Sequence, residues 1–219
     1  MSRQAVIMIV IAIIIIGGGI LLFVNEEPTD RSNGGFTVDP GHVGELVRED
    51  TYQTGNPDAK VTIVEFADLQ CPACATAFPA VKAVRQLYSA DELKIVFRHF
   101  PLNIHKNGQV ASLAAEAARE QGKFEEMAEL LFARQSQWNT VGNPINVFLD
   151  FARELELDTE QFRQAVETKK YEDLVFLGMQ DGYALNVNST PTFFINGEPY
   201  RQGLSLDEFQ KIINQMLAL

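Results

Sequence analysis

The sequence predicts an α/β domain with a helical insertion, preceded by one N-terminal transmembrane helix. A charge-free apolar run occupies residues 5–24. Further on, a short apolar stretch ends in the only two cysteines of the chain, Cys71 and Cys74. A helical block over about residues 107–186 then separates this stretch from a C-terminal hairpin and helix. The length of 219 residues provides room for one membrane segment and one domain with its own core.

Composition and charge argue against several classes of protein. Eighteen Lys and Arg against 29 Asp and Glu give a formal net charge of −11, which argues against nucleic acid as a partner. Two cysteines are too few for a disulfide-stapled scaffold. The three histidines, His42, His99 and His105, are scattered singly and lack zinc-ligand spacing. We therefore predict no metal site, and we expect His99 to be packed or capping.

The apolar run over residues 5–24 is dominated by isoleucine and is long enough for the roughly 20 residues of a membrane-spanning helix. A cleavable signal peptide has a shorter apolar core and a small-residue cleavage site. Here three glycines, residues 17–19, lie inside the run, and residues 23–26 make a poor cleavage site. We predict a retained anchor, with residues 1–4 as a cytoplasmic stub.

The charges that flank the anchor predict its orientation. Arg3 and the amino terminus stand on one side, and Glu26, Glu27 and Asp30 stand on the other. Positive charge remains on the cytoplasmic side of a membrane. We therefore expect a single-pass protein of the cell membrane, with its N-terminus cytoplasmic and its catalytic domain extracytoplasmic. Disulfides form and persist in that compartment.

Residues 25–50 are rich in Gly, Asp, Glu, Asn, Ser and Thr and lack sustained apolar periodicity. This composition predicts a flexible tether. His42 falls in the tether, and we interpret it as a solvated residue. The packed domain is predicted to occupy residues 51–219.

The first predicted strand of the domain covers residues 61–66. It is short, rich in β-branched residues and preceded by Asn56-Pro57-Asp58, which is typical of a strand buried on both faces. Glu65 is a carboxylate inside this strand. Burial without a partner would favour its neutral form and make it a candidate proton exchanger for the thiols. The alternative is an acid at the exposed edge of the strand.

A helical pattern follows, so the cysteines lie where a strand is succeeded by a helix. The first turn of a helix has free N–H groups and a positive partial charge, which would stabilise a thiolate at Cys71. Pro72 suits the first helical position. Cys74 follows three residues after Cys71, close enough to bond to it. This arrangement is typical of thiol–disulfide exchange, in which a low-pKa thiol attacks and its neighbour resolves the mixed disulfide.

Other interpretations of the two cysteines remain open but fit less well. Structural zinc needs four ligands. Covalent haem needs His directly after the second cysteine, and that residue is Ala75. A purely structural disulfide would close so small a loop that it would remove little chain entropy.

The remaining elements complete the predicted order of strand, helix, strand, helical insertion, hairpin and helix. A second strand is predicted over residues 94–99, and the apolar spacing of the insertion predicts five helices. Asn196-Gly197 between two strand-like runs indicates a hairpin. Ser205 and Glu208 form the pattern of a capping box for the last helix.

Residues 51–219 resemble the DsbA-like thiol–disulfide oxidoreductases, a branch of the thioredoxin superfamily with a helical insertion. The resemblance therefore implies a thioredoxin-like fold. It rests on four motifs: Glu65-Phe66 followed by Cys71-Pro72-Ala73-Cys74, Phe100-Pro101-Leu102, Gln121-Gly122-Lys123-Phe124, and Thr190-Pro191-Thr192-Phe193-Phe194-Ile195-Asn196-Gly197.

The resemblance also implies roles for the site residues. Cys71 would be the exposed nucleophile, Cys74 its shielded partner and Glu65 the buried acid of the family. Pro191 would be a cis-proline that faces the disulfide, and the backbone beside it would pair with an extended substrate. The residues implied to bind substrate are Pro72, Ala73, Thr190 and Pro191. The best-known strong oxidant of the family has Pro-His between its cysteines, so this chain lacks the imidazole that would help to hold a thiolate at Cys71.

We therefore expect an anchored oxidase that donates the Cys71–Cys74 disulfide to exported proteins with free cysteines. It would be reoxidised by a membrane partner, which the resemblance implies to be DsbB-like or VKOR-like. No cofactor is expected, because the chemistry resides in the dithiol. The alternatives are a reductase or isomerase that uses the same dithiol, a non-catalytic substrate-binding chaperone module, and a copper metallochaperone.

Overall fold

The computed structural model describes residues 46–201 and 203–218, together with the strand residues 15–16 and 19–20. The chain divides into two units, residues 1–35 and residues 36–219.

In the first unit, strands β1 (Ile15–Ile16) and β2 (Gly19–Ile20) pair antiparallel, with Ile15 opposite Ile20. These four residues are extended, which differs from the predicted helix over residues 5–24 and accords with the β preference of isoleucine. The rest of the predicted anchor, the stub and residues 25–45 of the tether lie outside the described residues. Among the helices that the structure does describe, none combines the length and apolar character needed to cross a membrane.

The second unit is built on a sheet with the strand order β3-β5-β4-β6-β7. Its central strand, β4, runs parallel to β5 and antiparallel to β6. The strands are β3 (Gln53–Thr54), β4 (Val61–Ala67), β5 (Leu93–His99), β6 (Thr192–Ile195) and β7 (Glu198–Tyr200). The predicted hairpin is present as β6 and β7, with Asn196 and Gly197 at positive φ in its turn. The sequence analysis did not predict β3.

Strand β4 is buried on both faces, as its β-branched composition predicts. Glu65 lies opposite Phe97 of β5 and Phe193 of β6. Because β4 has a neighbour on each side, the carboxylate lies in the middle of the sheet. The alternative of an acid at an exposed strand edge is therefore wrong.

The helices predicted for residues 51–219 are all present, with ends displaced by a few residues, and the short helix Gln135–Trp138 was not predicted. Asp158 caps its helix by accepting from the backbone N–H groups of Glu160 and Gln161, each at 3.0 Å. Ser205 and Glu208 form the predicted capping box. The helices are α1 (Pro72–Leu87), α2 (Gly108–Arg119), α3 (Phe124–Ala133), α4 (Gln135–Trp138), α5 (Ile145–Glu154), α6 (Thr159–Glu167), α7 (Glu172–Ala184) and α8 (Leu206–Leu217).

The sheet lies between two layers, because alternate residues of a strand face opposite sides. Val61 and Ile63 of β4 pack in one cluster with residues of α1 and α8, whereas Val64 and Phe66 pack in another with residues that follow β5 and α7. A third cluster joins the cysteines to the helical insertion. This thioredoxin-like α/β arrangement with a helical insertion agrees with the predicted fold.

Helix α7 approaches β5 closely at Gly178. A Cβ atom at this position would lie 2.5 Å from the carbonyl oxygen of His99. Glycine therefore permits a backbone contact that any side chain would obstruct.

The end of the predicted tether packs against this domain. Leu46 has 3% of its surface exposed. Arg48 donates two hydrogen bonds to the carboxylate of Asp181, at 2.6 and 3.0 Å. The same carboxylate pairs with the buried Arg98. The packed region therefore includes Leu46 and Arg48, which precede the predicted start at residue 51.

Candidate active site

The two cysteines occupy the junction between β4 and α1. Cys71 is the N-cap residue of α1, with an extended backbone at φ −74° and ψ 123°. Pro72 is the first helical residue, where the lack of an N–H group costs nothing. No side chain of the described residues caps this helix end, so the first-turn N–H groups remain available to a charge at Cys71.

Cys71 and Cys74 are free thiols in different environments. Cys71 has 6% of its surface exposed, and Cys74 has none. The pKa of Cys71 is lowered to about 5, chiefly by a hydrogen bond from the Cys74 thiol. Burial opposes this effect, while Thr190 and the backbone N–H groups of Ala73 and Cys74 add to it. The pKa of Cys74 is raised, first by burial and then by Cys71 and the nearby Glu65. The thiolate of the reduced site therefore resides on Cys71.

Thr190 and Pro191 lie beside Cys71, although 119 residues separate Thr190 from Cys71 along the chain. Strand β6 begins at the end of the sheet where β4 stops, since Thr192 pairs with Phe66. The Cys71 thiol donates to the carbonyl oxygen of Thr190 at 3.4 Å. The buried Thr190 hydroxyl has no hydrogen-bond partner among the described residues. It can therefore donate to a Cys71 thiolate, which explains its effect on the pKa. The Thr190–Pro191 peptide bond is cis.

Pro72 and Ala73 form the exposed outer side of the site. Thr190 and Pro191 are buried on its inner side. The structure thus brings all four residues that were expected to bind substrate close to Cys71. Their contacts with a substrate stay a prediction.

Glu65 lies beneath the cysteines on β4. It has 2% of its surface exposed, and burial raises the pKa of its carboxyl to about 8. Its Oε1 atom has no hydrogen-bond partner within the described part of the chain. Its charge would raise the pKa of the Cys74 thiol. A carboxyl that is neutral at pH 7 and adjacent to a buried thiol can exchange a proton with that thiol.

Residues 68–71, which we call the catalytic loop, are held by hydrogen bonds from side chains that were not predicted as site residues. The Gln135 side chain of α4 donates to the carbonyl oxygens of Leu69 and Cys71, at 2.9 and 3.1 Å. Gln70 donates to the carbonyl oxygen of Asn139 at 2.8 Å and accepts from the backbone N–H of Asn107 at 2.7 Å. These amide contacts join the loop to the helical insertion.

Asp68 supports the start of the catalytic loop. Its carboxylate is fully buried and accepts from the backbone N–H groups of Gln70 and Leu102, each at 2.8 Å. The Nδ1 atom of His105 lies 2.6 Å from the same carboxylate. His99, by contrast, is packed in the interior with its Nε2 atom 2.8 Å from Glu116, as expected for a structural histidine.

Within residues 46–201 and 203–218, no three His, Cys, Asp or Glu side chains lie close enough together to hold a metal ion.

Comparison with protein families identifies one match over most of the chain. The family model described as thioredoxin matches residues 48–215.

Solved structures with similar folds extend this result. BdbD from Bacillus subtilis superposes with a TM-score of 0.68 at 22% identity, covering 77% of this chain and 94% of BdbD. A thioredoxin-like oxidoreductase from Silicibacter pomeroyi gives 0.67 at 26% identity, with coverage of 81% and 98%. Wolbachia pipientis alpha-DsbA1 gives 0.71 at 21% identity, with coverage of 79% and 94%.

The curated relatives are much longer proteins. The Na(+)/H(+) antiporter NhaA 3 of Salinispora tropica is 33% identical over 165 residues, which cover 75% of this chain and 24% of the antiporter. NhaA 1 of Mycobacterium sp. (strain KMS) is 39% identical over 152 residues, covering 67% and 24%. The chain spans about a quarter of the length of these relatives.

Proposed function

The chain belongs to the thioredoxin family, with a DsbA-like fold, and from that premise we propose that it oxidises exported protein thiols by donating the Cys71–Cys74 disulfide. General thiol–disulfide exchange is the activity that the family and the site support. The observation that carries the proposal is the opposite displacement of two neighbouring thiol pKa values, downward at Cys71 and upward at Cys74. This difference distinguishes an attacking and leaving thiol from its shielded partner.

The oxidase direction is supported by the low pKa of Cys71. A stabilised thiolate favours the reduced form of a dithiol, so the corresponding disulfide is a stronger oxidant. The best-known strong oxidant of the family that this chain resembles has an imidazole between its cysteines. Here Ala73 offers a thiolate at Cys71 only its backbone N–H, and the other donors would be the thiol and backbone N–H of Cys74 and the hydroxyl of Thr190.

The reaction begins when a substrate thiolate attacks Sγ of Cys71 in the oxidised protein. The Cys71–Cys74 bond breaks, a substrate–Cys71 disulfide forms, and Cys74 leaves as a thiolate. A second substrate thiolate then attacks the substrate sulfur of this mixed disulfide and releases Cys71 as a thiolate. Two electrons pass from the substrate dithiol to the protein, and the substrate acquires one disulfide. The low pKa of Cys71 assists the last step, since it makes Cys71 a good leaving group.

Glu65 is proposed to supply the proton that Cys74 needs when it leaves. With a pKa of about 8, the carboxyl is protonated at neutral pH. A buried thiolate in an apolar environment is costly, so a nearby proton donor lowers the barrier to its departure.

Substrate is proposed to bind in an extended form along Thr190 and Pro191, with its reacting sulfur at Cys71. Main-chain pairing of this kind gives affinity with little dependence on the substrate sequence. Pro72 and Ala73 are exposed and provide the outer contact. A protein that acts on many exported chains requires such broad specificity.

The location and the redox partner are also proposals. The apolar run over residues 5–24 would anchor the chain in the cell membrane, with the catalytic domain extracytoplasmic. A DsbB-like or VKOR-like membrane protein would accept the two electrons from the reduced dithiol.

The redox equilibrium of the full chain with glutathione tests the proposal. Thiol alkylation after equilibration would report the reduced fraction. We expect the Cys71–Cys74 disulfide to be reduced readily, with a potential above about −200 mV, on the oxidising side of the protein disulfide range. A potential near about −270 mV, that of thioredoxin, would support the reductase alternative.

The non-catalytic chaperone alternative needs a separate measurement. A Cys71→Ser variant would lose oxidation of a reduced, unfolded test protein if exchange is the function. Full retention of function by this variant would support a chaperone and would contradict our proposal.

A further inference from the structure

A small cavity lies against Glu65, on the face of the sheet that packs on α1. Its volume is about 40 Å³, and Thr54 and Glu65 both line it. Strands β3 and β4 pair with opposite edges of β5, where Thr54 lies opposite Ile95 and Glu65 opposite Phe97. Ile95 and Phe97 lie on the same face of β5, so Thr54 and Glu65 also share this face of the sheet, two residues apart in register.

Two buried oxygen atoms that border this cavity have no partner. Thr54 Oγ1 and Glu65 Oε1 are both inaccessible, and neither makes a hydrogen bond to any part of the protein that the structure describes. Buried polar atoms are almost always hydrogen-bonded, to protein or to ordered water. A cavity of about 10–15 Å³ suffices for one water, so this one has room for about one to three.

The cavity has a polar outer wall. Tyr52 donates to Glu125 at 3.2 Å and accepts from Arg85 at 3.3 Å, and Arg85 and Glu125 form an ion pair. We call these three residues the Tyr52 cluster. All three line the small cavity, and all three also line a neighbouring cavity of about 410 Å³ that includes exposed residues such as Glu129. The cluster therefore forms part of the wall of both cavities.

Besides Glu65 of β4, the titratable groups around the cavity come from the residue before β3 and from two helices. Tyr52 precedes β3, Lys82 and Arg85 belong to α1, and Glu125 belongs to α3. Cys74 of α1 is the further titratable group close enough to respond to the charge of Glu65. Burial raises the pKa of Tyr52 to about 12, so its hydroxyl stays protonated and neutral at neutral pH.

We infer that water in this cavity joins Glu65 Oε1 to Thr54 Oγ1 and carries protons between Glu65 and solvent past the Tyr52 cluster, with Thr54 as the positioning residue. This inference rests on the proposed function. In the exchange reaction, Glu65 gives its proton to the Cys74 thiolate and becomes a carboxylate. Solvent then returns one proton to Glu65 through the cavity, which restores the neutral acid. No electrons move in this step.

Infrared difference spectra of the oxidised full chain test the inference, because a protonated carboxyl has a C=O band whose frequency falls when it accepts a hydrogen bond. The band would be assigned by its loss in Glu65→Gln. We expect a hydrogen-bonded band in the wild type and a shift to higher frequency in Thr54→Val. Thr54→Ser, which restores a hydroxyl, should return the band to its wild-type position. Thr62→Val, at a partly buried position outside the cavity, is the matched control and should leave the band unchanged.

A kinetic measurement provides the second readout. Trp138 is the only tryptophan and packs in the same cluster as both cysteines, so its fluorescence can follow reduction by glutathione. Below about pH 8, Thr54→Val should react roughly three- to tenfold more slowly than Thr62→Val, as expected for one lost hydrogen bond in the proton step. Thr54→Ser should recover most of the rate.

The outcomes separate the two proposals. The band measurement does not require exchange activity. A wild type that fails to exchange thiols with a substrate would overturn the proposed function. The carboxyl band of the same protein would still test whether water in the cavity is hydrogen-bonded to Glu65. A wild-type band typical of a free carboxyl would overturn the inference, even if Thr54→Val proved unstable. Equal bands and equal rates in Thr54→Val and Thr62→Val would overturn it as well.

Discussion

The Cys71 thiol and the carbonyl oxygen of Thr190 lie 3.4 Å apart, although the two residues belong to opposite ends of the domain sequence. The Thr190 side chain adjoins the same sulfur and lowers the pKa of Cys71. One residue therefore contacts the nucleophile in both protonation states: its carbonyl accepts from the thiol, and its hydroxyl can donate to the thiolate. The segment that would bind substrate thus also lowers the pKa of the attacking sulfur.

Replacement of Thr190 by Val should make the disulfide a weaker oxidant. The hydroxyl is lost while the shape is kept, so the pKa of Cys71 should rise from about 5. A hydrogen bond to a charged group contributes about 1.5–3 kcal/mol, so the equilibrium with glutathione should move toward the disulfide by roughly tenfold or more. Thiolate absorbance against pH and the redox equilibrium would measure both effects. Identical values in Thr190→Val and Thr62→Val would contradict the role of the hydroxyl.

The buried carboxyl of Glu65 should make the oxidised protein less stable as the pH rises. Burial raises its pKa from 4.5 to about 8, so the folded state binds a proton that the unfolded state releases. The stabilising contribution is complete below about pH 4.5 and is lost as the pH rises to about 8, which corresponds to a few kcal/mol at most. Urea unfolding of the oxidised chain across this range would measure it, since the disulfide removes both thiols from the titration.

Glu65→Gln is the matched variant for this measurement, because the amide has a similar shape and does not titrate. Its unfolding free energy should vary less with pH than that of the wild type, and it should exceed the wild-type value at pH 8. A wild-type stability that stays flat between pH 4.5 and 8 would show that the carboxyl is not held neutral by the fold.

Most of the fold follows from local patterns in the sequence. The β-branched run before Cys71 forms the central strand, the Asn196-Gly197 turn forms a hairpin, and the box of Ser205 and Glu208 begins the last helix. Each signal lies within a few residues of the feature that it predicts, so it can be recognised without knowledge of the tertiary fold. The position of Cys71 at a helix N-terminus follows in the same way.

The polar supports of the site have no such local signal. Strand β3 has only two residues and is defined by its pairing with β5. So short a segment has no periodic pattern from which a strand could be predicted. Thr54 lines the same cavity as Glu65 only because β5 joins β3 and β4 in one sheet. Gln135 contacts Leu69 and Cys71 at sequence separations of 66 and 64 residues. These relationships depend on the packing of the whole domain.

Substitution of Gly178 should destabilise the domain, because its backbone lies against β5 at His99. Alanine in a helix interior is normally favoured over glycine by about 0.5–1 kcal/mol. Here the added methyl group would meet the carbonyl oxygen of His99 at 2.5 Å, so α7 would have to move away from β5. We expect Gly178→Ala to lower the free energy of unfolding by roughly 1–3 kcal/mol. Gly142→Ala, whose Cβ would meet no atom within 4 Å, is the control for thermal unfolding. Equal stability of the two variants would contradict the close approach.

Gln135→Ala should loosen the catalytic loop without altering either cysteine. The variant loses two hydrogen bonds, and it leaves the carbonyl oxygens of Leu69 and Cys71 without that donor. We expect a loss of about 1–3 kcal/mol in stability, faster amide hydrogen exchange in residues 68–71, and slower oxidation of a test substrate. Gln137→Ala, an exposed residue of the same helix, should change none of these quantities. If both variants exchange their loop amides at the wild-type rate, Gln135 does not hold the loop. The contacts of Gln70 with Asn107 and Asn139 would then be the ones that join the loop to the helical insertion.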